Sequence, residues 1–161
     1  MNIVVREYKE ADVYNMIDIW NEVVENGNAF PQRNLLTNEG AKIFFAQQSF
    51  SAVAEEAGKI VGLYILHPNN VGRCAHIANA SYCVKATERG KQIGEILVRD
   101  SLLQGAKLGF KLLQFNAVVA TNKSALKLYN KLGFITVGTI PGGFMMKDEH
   151  YEDIVVFYKK L

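Results

Sequence analysis

The spacing of apolar positions changes several times along this chain, and each change marks an element. Residues 2–8 alternate and are rich in β-branched side chains, which predicts a strand. After Glu10-Ala11-Asp12 the apolar residues Val13, Ile17, Trp20, Val23 and Val24 recur at helical spacing. That helix ends at Asn26-Gly27-Asn28. Phe30-Pro31-Gln32-Arg33-Asn34 then reads as an irregular loop, with an aromatic placed to cover a site, before a second helix over 39–48. Residues 50–55 and 59–67 are apolar runs joined by Glu56-Ala57-Gly58, a hairpin signal. Pro68-Asn69-Asn70-Val71-Gly72 breaks the chain, and 76–84 predicts another strand. A glycine-bearing turn leads into a long helix over 93–108, with Ile93, Ile96, Leu97, Leu103 and Ala106 as its expected buried stripe and Gly109 just beyond its end. Residues 112–120 form a strongly apolar strand. Thr121-Asn122 makes a turn and cap, and Ala125, Leu128, Tyr129 and Leu132 repeat at helical spacing up to Gly133. Strands over 134–140 and 153–158 flank a loop that begins at Pro141-Gly142-Gly143.

The predicted order is β-α-α-β-β-β-α-β-α-β-β. Hairpin-linked strands ahead of a βαβ unit give an α+β fold, one mixed central sheet with helices on both faces, and residues 1–161 form a single domain.

Composition narrows the function classes. The chain has 161 residues, 49% hydrophobic and 21% charged, which suits one well-buried core and excludes disorder, collagen-like repeats and heptad rods. Its 18 Lys+Arg against 16 Asp+Glu leave a formal charge of +2, and the basic residues are dispersed, so no nucleic-acid partner is expected. Cys74 and Cys83 form neither a CxxC pair nor a disulfide framework, which favours a reducing compartment. There is no secretory pattern after Met1 and no apolar run of membrane length, so the expectation is a cytoplasmic protein without a membrane partner.

The strongest chemical feature is the basic loop Val84-Lys85-Ala86-Thr87-Glu88-Arg89-Gly90-Lys91-Gln92-Ile93-Gly94, which leaves a strand and opens a helix. Free amides and the positive end of a helix dipole suit an anion such as a pyrophosphate. Neither a Walker A nor a dinucleotide-binding glycine pattern is present. Arg89-Gly90-Lys91-Gln92-Ile93-Gly94 instead resembles the Gln/Arg-x-x-Gly-x-Gly/Ala loop of the GNAT superfamily of N-acetyltransferases, with Gln92 where the family has its first glycine. Asn122-Lys123-Ser124-Ala125-Leu126-Lys127-Leu128-Tyr129-Asn130-Lys131-Leu132-Gly133-Phe134 is similar to that family's second signature, NxxAxxLYxKxGF. Both occur in the family's order, and the resemblance covers nearly the whole chain.

The resemblance implies acetyl-CoA as co-substrate, bound across a splayed pair of strands, and no metal. Backbone of Cys83 and Val84 would hold the pantetheine arm, with an amide beside them for the oxyanion. The amides of Arg89, Gly90, Lys91, Gln92, Ile93 and Gly94 would hold the pyrophosphate, with the Gln92 side chain turned away. Asn122 and Tyr129 would reach the thioester, Tyr129 as the acid that protonates the leaving thiolate. On periodicity alone Tyr129 reads as a core tyrosine and Asn122 as an N-cap. Lys123, Lys127 and Lys131 read as a solvated face from which one lysine meets the 3′-phosphate.

A narrower resemblance joins Asn79-Ala80-Ser81-Tyr82, Leu113-Gln114-Phe115-Asn116-Ala117-Val118-Val119-Ala120-Thr121-Asn122 and Gly138-Thr139-Ile140-Pro141-Gly142-Gly143-Phe144 to the fungal-type acetyltransferases of azetidine-2-carboxylate and other proline analogues. It implies a small-molecule amine acceptor whose carboxylate is held by Asn79 and Asn116. Other acceptors in view are a peptide N-terminus, a polyamine or an antibiotic-like amine, and a different class is a non-catalytic CoA sensor. Direct attack is preferred to an acyl-enzyme on Cys83. The strand around Asn79 carries no acid, which leaves His76, Glu22, Glu25 or a water chain through Asn122 as candidate bases. Relatives often dimerise through C-terminal strands, making 153–158 the candidate edge of a homodimer.

Overall fold

A computed structural model describes residues 2–161. The strands are β1 (Ile3–Glu7), β2 (Phe50–Glu56), β3 (Lys59–Pro68), β4 (Ile77–Val84), β5 (Leu112–Val119), β6 (Ile135–Met145) and β7 (Tyr151–Lys160). The helices are α1 (Val13–Asn26), α2 (Asn38–Ala46), α3 (Ile93–Lys107) and α4 (Lys123–Lys131). The strands form one mixed sheet in the order β1-β2-β3-β4-β5-β7-β6. This is the predicted α+β architecture, with each predicted element present.

The two sheet faces carry separate cores. On one, Val13, Met16, Ile17, Trp20, Val23 and Val24 of α1 pack with Ala41 and Phe45 of α2, against Val53, Leu63 and Ile65 of the sheet. Trp20 sits among Phe30, Phe44 and Phe45 with ring centroids 4.6–6.0 Å apart. On the other face, Ile93, Leu97 and Val98 of α3 and Leu132 beyond α4 pack on Tyr64, Leu66, Leu113, Phe115 and Phe157. Burial of side chains this large contributes about 1.5–3 kcal/mol each, which is why the α1 stripe was readable from spacing.

The α3 stripe differs from the expected one. Leu103 is 62% exposed and Ala106 is also exposed, whereas Ser101 and Gly105 are buried in their place. Small residues let α3 lie close to the sheet, for a Cβ on Gly105 would come within 2.9 Å of Leu161 Cδ1. The Ser101 hydroxyl is bonded to Val98 O and to the Tyr82 hydroxyl, both at 2.7 Å, so its burial leaves no orphaned polar atom.

Two corrections concern the C-terminal strands. Pro141-Gly142-Gly143 is not a loop but an irregular stretch inside β6, where the register slips between Ile140 and Phe144. Proline is tolerated there because β6 is the sheet edge. Residues 153–158 lie in β7, which pairs with β5 on one side and β6 on the other, so that strand has no free edge to offer a partner. Among the described residues no helix is long and apolar enough to cross a membrane.

Candidate active site

β4 and β5 run parallel but pair only at Ile77–Leu112 and Ala78–Leu113. Beyond Ala78 the strands part, and the β5-facing backbone of Tyr82, Cys83 and Val84 has no strand beside it. The splay opens two chambers. One, about 410 Å³, is lined by Cys83, Val84, Arg89, Thr121, Asn122 and Met146 among others. The second, about 340 Å³, includes Asn79, Asn116, Tyr129 and Asn122. Ala29, Tyr82 and Asn122 line both, so the chambers meet at the mouth of the strand split. The loop at Phe30 forms a wall of the second chamber, with Phe30 itself packed on Trp20. Asn21 fixes the far end of that loop, donating to Leu36 O and accepting from Leu36 N–H at 3.0 and 2.8 Å.

The loop from β4 into α3 leaves backbone amides free for an anion. The first α-helical bond of α3 runs from Ile96 N–H to Gln92 O at 3.2 Å, so the amides of Ile93, Gly94 and Glu95 have no partner inside the helix. Gln92 is left-handed at φ 61° with an exposed side chain, a conformation glycine adopts freely. Gly94 could carry a methyl without crowding, its nearest neighbour being Leu128 Cδ2 at 3.9 Å, so packing within the protein does not account for the glycine. The Ile93 side chain is buried in the core, and Lys91 pairs with Glu88 and more distantly with Glu56. Of the loop side chains from Arg89 to Gly94, Arg89 reaches the chamber. Lys123 also lines it, while Lys131 is paired with Glu95 at 2.7 Å.

Asn122 is both a cap and a chamber residue. Its Oδ1 accepts from Ala125 N–H at 3.2 Å and from the Ser124 hydroxyl at 3.0 Å, which leaves its Nδ2 as a donor toward the junction. Tyr129 packs on Phe115, Phe134 and Phe157 with centroids 4.4–5.7 Å away, so it is a partly buried core tyrosine that also lines the second chamber. Burial raises its pKa well above that of a free phenol, keeping the proton on at neutral pH. Tyr82 is likewise raised by burial, but its hydroxyl is tied to Ser101. Burial also pushes the Cys83 thiol up, away from thiolate chemistry.

Asn79 and Asn116 come together through a residue that sequence reasoning passed over. Asn69 Oδ1 accepts from Asn79 Nδ2 at 3.1 Å and from Asn116 Nδ2 at 2.6 Å. Gln114 Nε2 donates to Asn116 Oδ1 at 2.9 Å, which fixes that amide's orientation. Asn116 reaches the cluster because β5 bulges there: Phe115 and Val118 face Phe157 and Val155 of β7, one residue more on β5 than on β7. Bulges of this kind re-aim side chains. Local pattern marks Asn69 only as part of a chain break, and its place in this cluster depends on a pairing between β3 and β4 that local pattern does not specify.

Three candidate bases lie elsewhere. His76 is exposed just before β4, Glu25 is exposed on α1, and the Glu22 carboxylate is 3.3 Å from the Ala86 amide of the loop. None lines the second chamber. His67, which does, was missed for the same reason as Asn69.

The model of the acetyltransferase (GNAT) family matches residues 13–134, from the start of α1 to just past α4. The chain is 28% identical over 155 residues to N-acetyltransferase aca1 of Schizosaccharomyces pombe, covering 85% of this chain and 74% of that protein. A GCN5-related N-acetyltransferase from Kribbella flavida is 33% identical, with a TM-score of 0.90 over 99% of this chain and 98% of the other. A phosphinothricin acetyltransferase from Sinorhizobium meliloti, solved in complex with acetyl-CoA, shares the fold at 21% identity, with a TM-score of 0.92 over 100% of this chain and 89% of the other. The match takes in the split strands, the loop into α3 and the Asn122–Phe134 segment alike, and the chain belongs to the acetyltransferase (GNAT) family of N-acetyltransferases.

Proposed function

We infer that this enzyme transfers an acetyl group from acetyl-CoA to the amine of a small acceptor that carries a carboxylate, with cyclic imino acids of the azetidine-2-carboxylate and proline-analogue class foremost. The observation that carries the acceptor class is the convergence of the Asn79 and Asn116 amides on a single oxygen, Asn69 Oδ1, beside the second chamber. An oxygen accepting from two amide groups is what one carboxylate oxygen would be. Among the described residues no carboxylate or ammonium side chain lines that chamber, which favours an acceptor with one acid and one amine over a polyamine.

Acetyl-CoA supplies an activated thioester. The chain's own residues then divide the work. The unpartnered backbone of Cys83 and Val84 binds the pantetheine arm as a neighbouring strand would, and an amide there faces the oxyanion. The α3 N-terminal amides and Arg89 hold the pyrophosphate. Asn122 Nδ2 positions the reacting centre at the junction of the chambers. Tyr129 keeps its proton until the thiolate departs. Direct attack by the amine fits the protonated, buried Cys83. The whole of 1–161 is proposed to act as one catalytic domain, pairing with a second copy through the β6 edge, where Ile135, Val137 and Ile140 are exposed.

The test is acetyl-CoA-dependent release of CoA thiol, with the product confirmed by mass, across azetidine-2-carboxylate, proline, hydroxyproline, other amino acids, polyamines and peptides. Turnover highest with the cyclic imino acids is the expected result. Turnover confined to polyamines or peptides would overturn the acceptor class, and CoA binding without turnover of any amine would point to a sensor.

A further inference from the structure

An acceptor amine enters at neutral pH largely as an ammonium and must shed a proton before it can attack. The second chamber offers few groups to take it. Its ionisable side chains are His67 from β3, Tyr82 from β4 and Tyr129 from α4, and both phenols are held protonated by burial. The other surfaces facing His67 across the chamber are uncharged: Asn69 after β3, Asn79 on β4, Asn116 on β5, and Phe30 and Gln32 of the loop after α1.

His67 is also presented in the required form. Its Nδ1 lies 2.9 Å from the Pro68 carbonyl oxygen, which can only accept, so Nδ1 bears the hydrogen and Nε2 keeps its lone pair. The residue is directly opposite Asn79 in the β3–β4 pairing, and facing residues of antiparallel strands project to the same side. His67 is therefore beside the amide cluster that receives the carboxylate, half-buried at the chamber wall.

We propose that His67 Nε2 is the general base that takes the proton of the acceptor ammonium. The step balances without any further reactant. One ammonium proton passes to Nε2 and later to solvent, and the freed nitrogen lone pair forms the C–N bond to the thioester carbonyl carbon. The C–S bond breaks, Tyr129 protonates the thiolate, and the remaining nitrogen proton restores the Tyr129 phenol. The products are an amide, CoA thiol and one released proton.

The inference rests on the acceptor occupying the second chamber, so two variants are needed. His67→Gln keeps a polar side chain of similar reach without a basic nitrogen. Unchanged CoA binding and an unchanged melting temperature would establish that it is folded. With a base, kcat/KM for an acceptor of high amine pKa rises to a plateau well below that pKa and stays level until the amine itself deprotonates. Without one, only neutral amine reacts, and kcat/KM climbs tenfold per pH unit up to the amine pKa. The expected result is that plateau in the parent enzyme and the continuous climb in His67→Gln. At neutral pH the loss is about 100-fold, in kcat/KM more than in CoA affinity, and it shrinks as the pH is raised. His67→Ala should regain part of its activity with added imidazole. An identical profile in His67→Gln, with Asn116→Ala still raising the acceptor KM, overturns the base assignment alone. No effect of Asn116→Ala on any acceptor removes the chamber reading itself. A KM that rises with pH only when His67 is present would make it a carboxylate-binding imidazolium and also overturn the assignment.

Discussion

Tyr82 and Tyr129 are two partly buried tyrosines on the same chamber wall, and their partners separate their roles. Tyr82 gives its hydroxyl to Ser101 at 2.7 Å, whereas Tyr129 makes no such bond among the described residues and is free to face a departing sulfur. Tyr129→Phe removes only the oxygen, and should lower kcat by about 100-fold or more while leaving the Kd for acetyl-CoA little changed. Because burial keeps the Tyr129 proton on, the loss should be similar from pH 6 to 9 in steady-state assays; full activity at every pH would refute the acid. Gln92 is a residue with a conformational cost, since its φ of 61° is disfavoured for any side chain. Gln92→Gly should raise stability by roughly 1 kcal/mol, read as a higher melting temperature, with no loss of CoA affinity, whereas Gln92→Ala should bring no gain.

At the scale of elements, the bulge in β5 is what brings Asn116 to the wall of the second chamber. Asn116 is held by Asn69 and Gln114 only because the extra residue turns it toward β4. Loss of a hydrogen bond to a charged group is worth about 1.5–3 kcal/mol, so Asn116→Ala should raise the acceptor KM at least tenfold with kcat changed much less. Element order and both signature segments were legible because they are local: helical spacing in α1, apolar alternation in the strands, and Asn122 directly ahead of α4. The buried face of α3 was misread because Ser101 and Gly105 carry it, small residues that no apolar periodicity marks. Ala57 and Gly58 show the opposite case, turning with φ of 49° and 78° so that β2 and β3 join tightly without an Asn-Gly pair. His67 and Asn69 were invisible since their partners come from β4 and β5, and strand register across an eight-residue connection is a property of the assembled sheet.

For the molecule as a whole, β1 is tied to the start of α1 by Arg6, which donates to Asp12 at 2.7 and 3.0 Å and to Glu55 at 2.8 Å. The Arg6 guanidinium, with help from the Lys9 amide, holds the Asp12 carboxyl below the ordinary aspartate range. Its stabilising effect is therefore complete above the unfolded-state pKa and fades as pH falls through the lower folded-state value. Asp12→Asn should cost roughly 1–2 kcal/mol at pH 7, and the gap in melting temperature should close toward pH 3. Light scattering should find a dimer that Val137→Lys dissociates, since the β6 edge exposes Val137, Ile135 and Ile140; an unaltered dimer would place the contact elsewhere. The most direct measurement compares kcat/KM for azetidine-2-carboxylate with that for azetidine, the same ring amine without its acid. Loss of the carboxylate should cost about 100-fold or more, because the N–H groups that Asn79 and Asn116 do not give to Asn69 then have no carboxylate to receive them. Equal turnover of the two amines would contradict a carboxylate site at the Asn69 cluster.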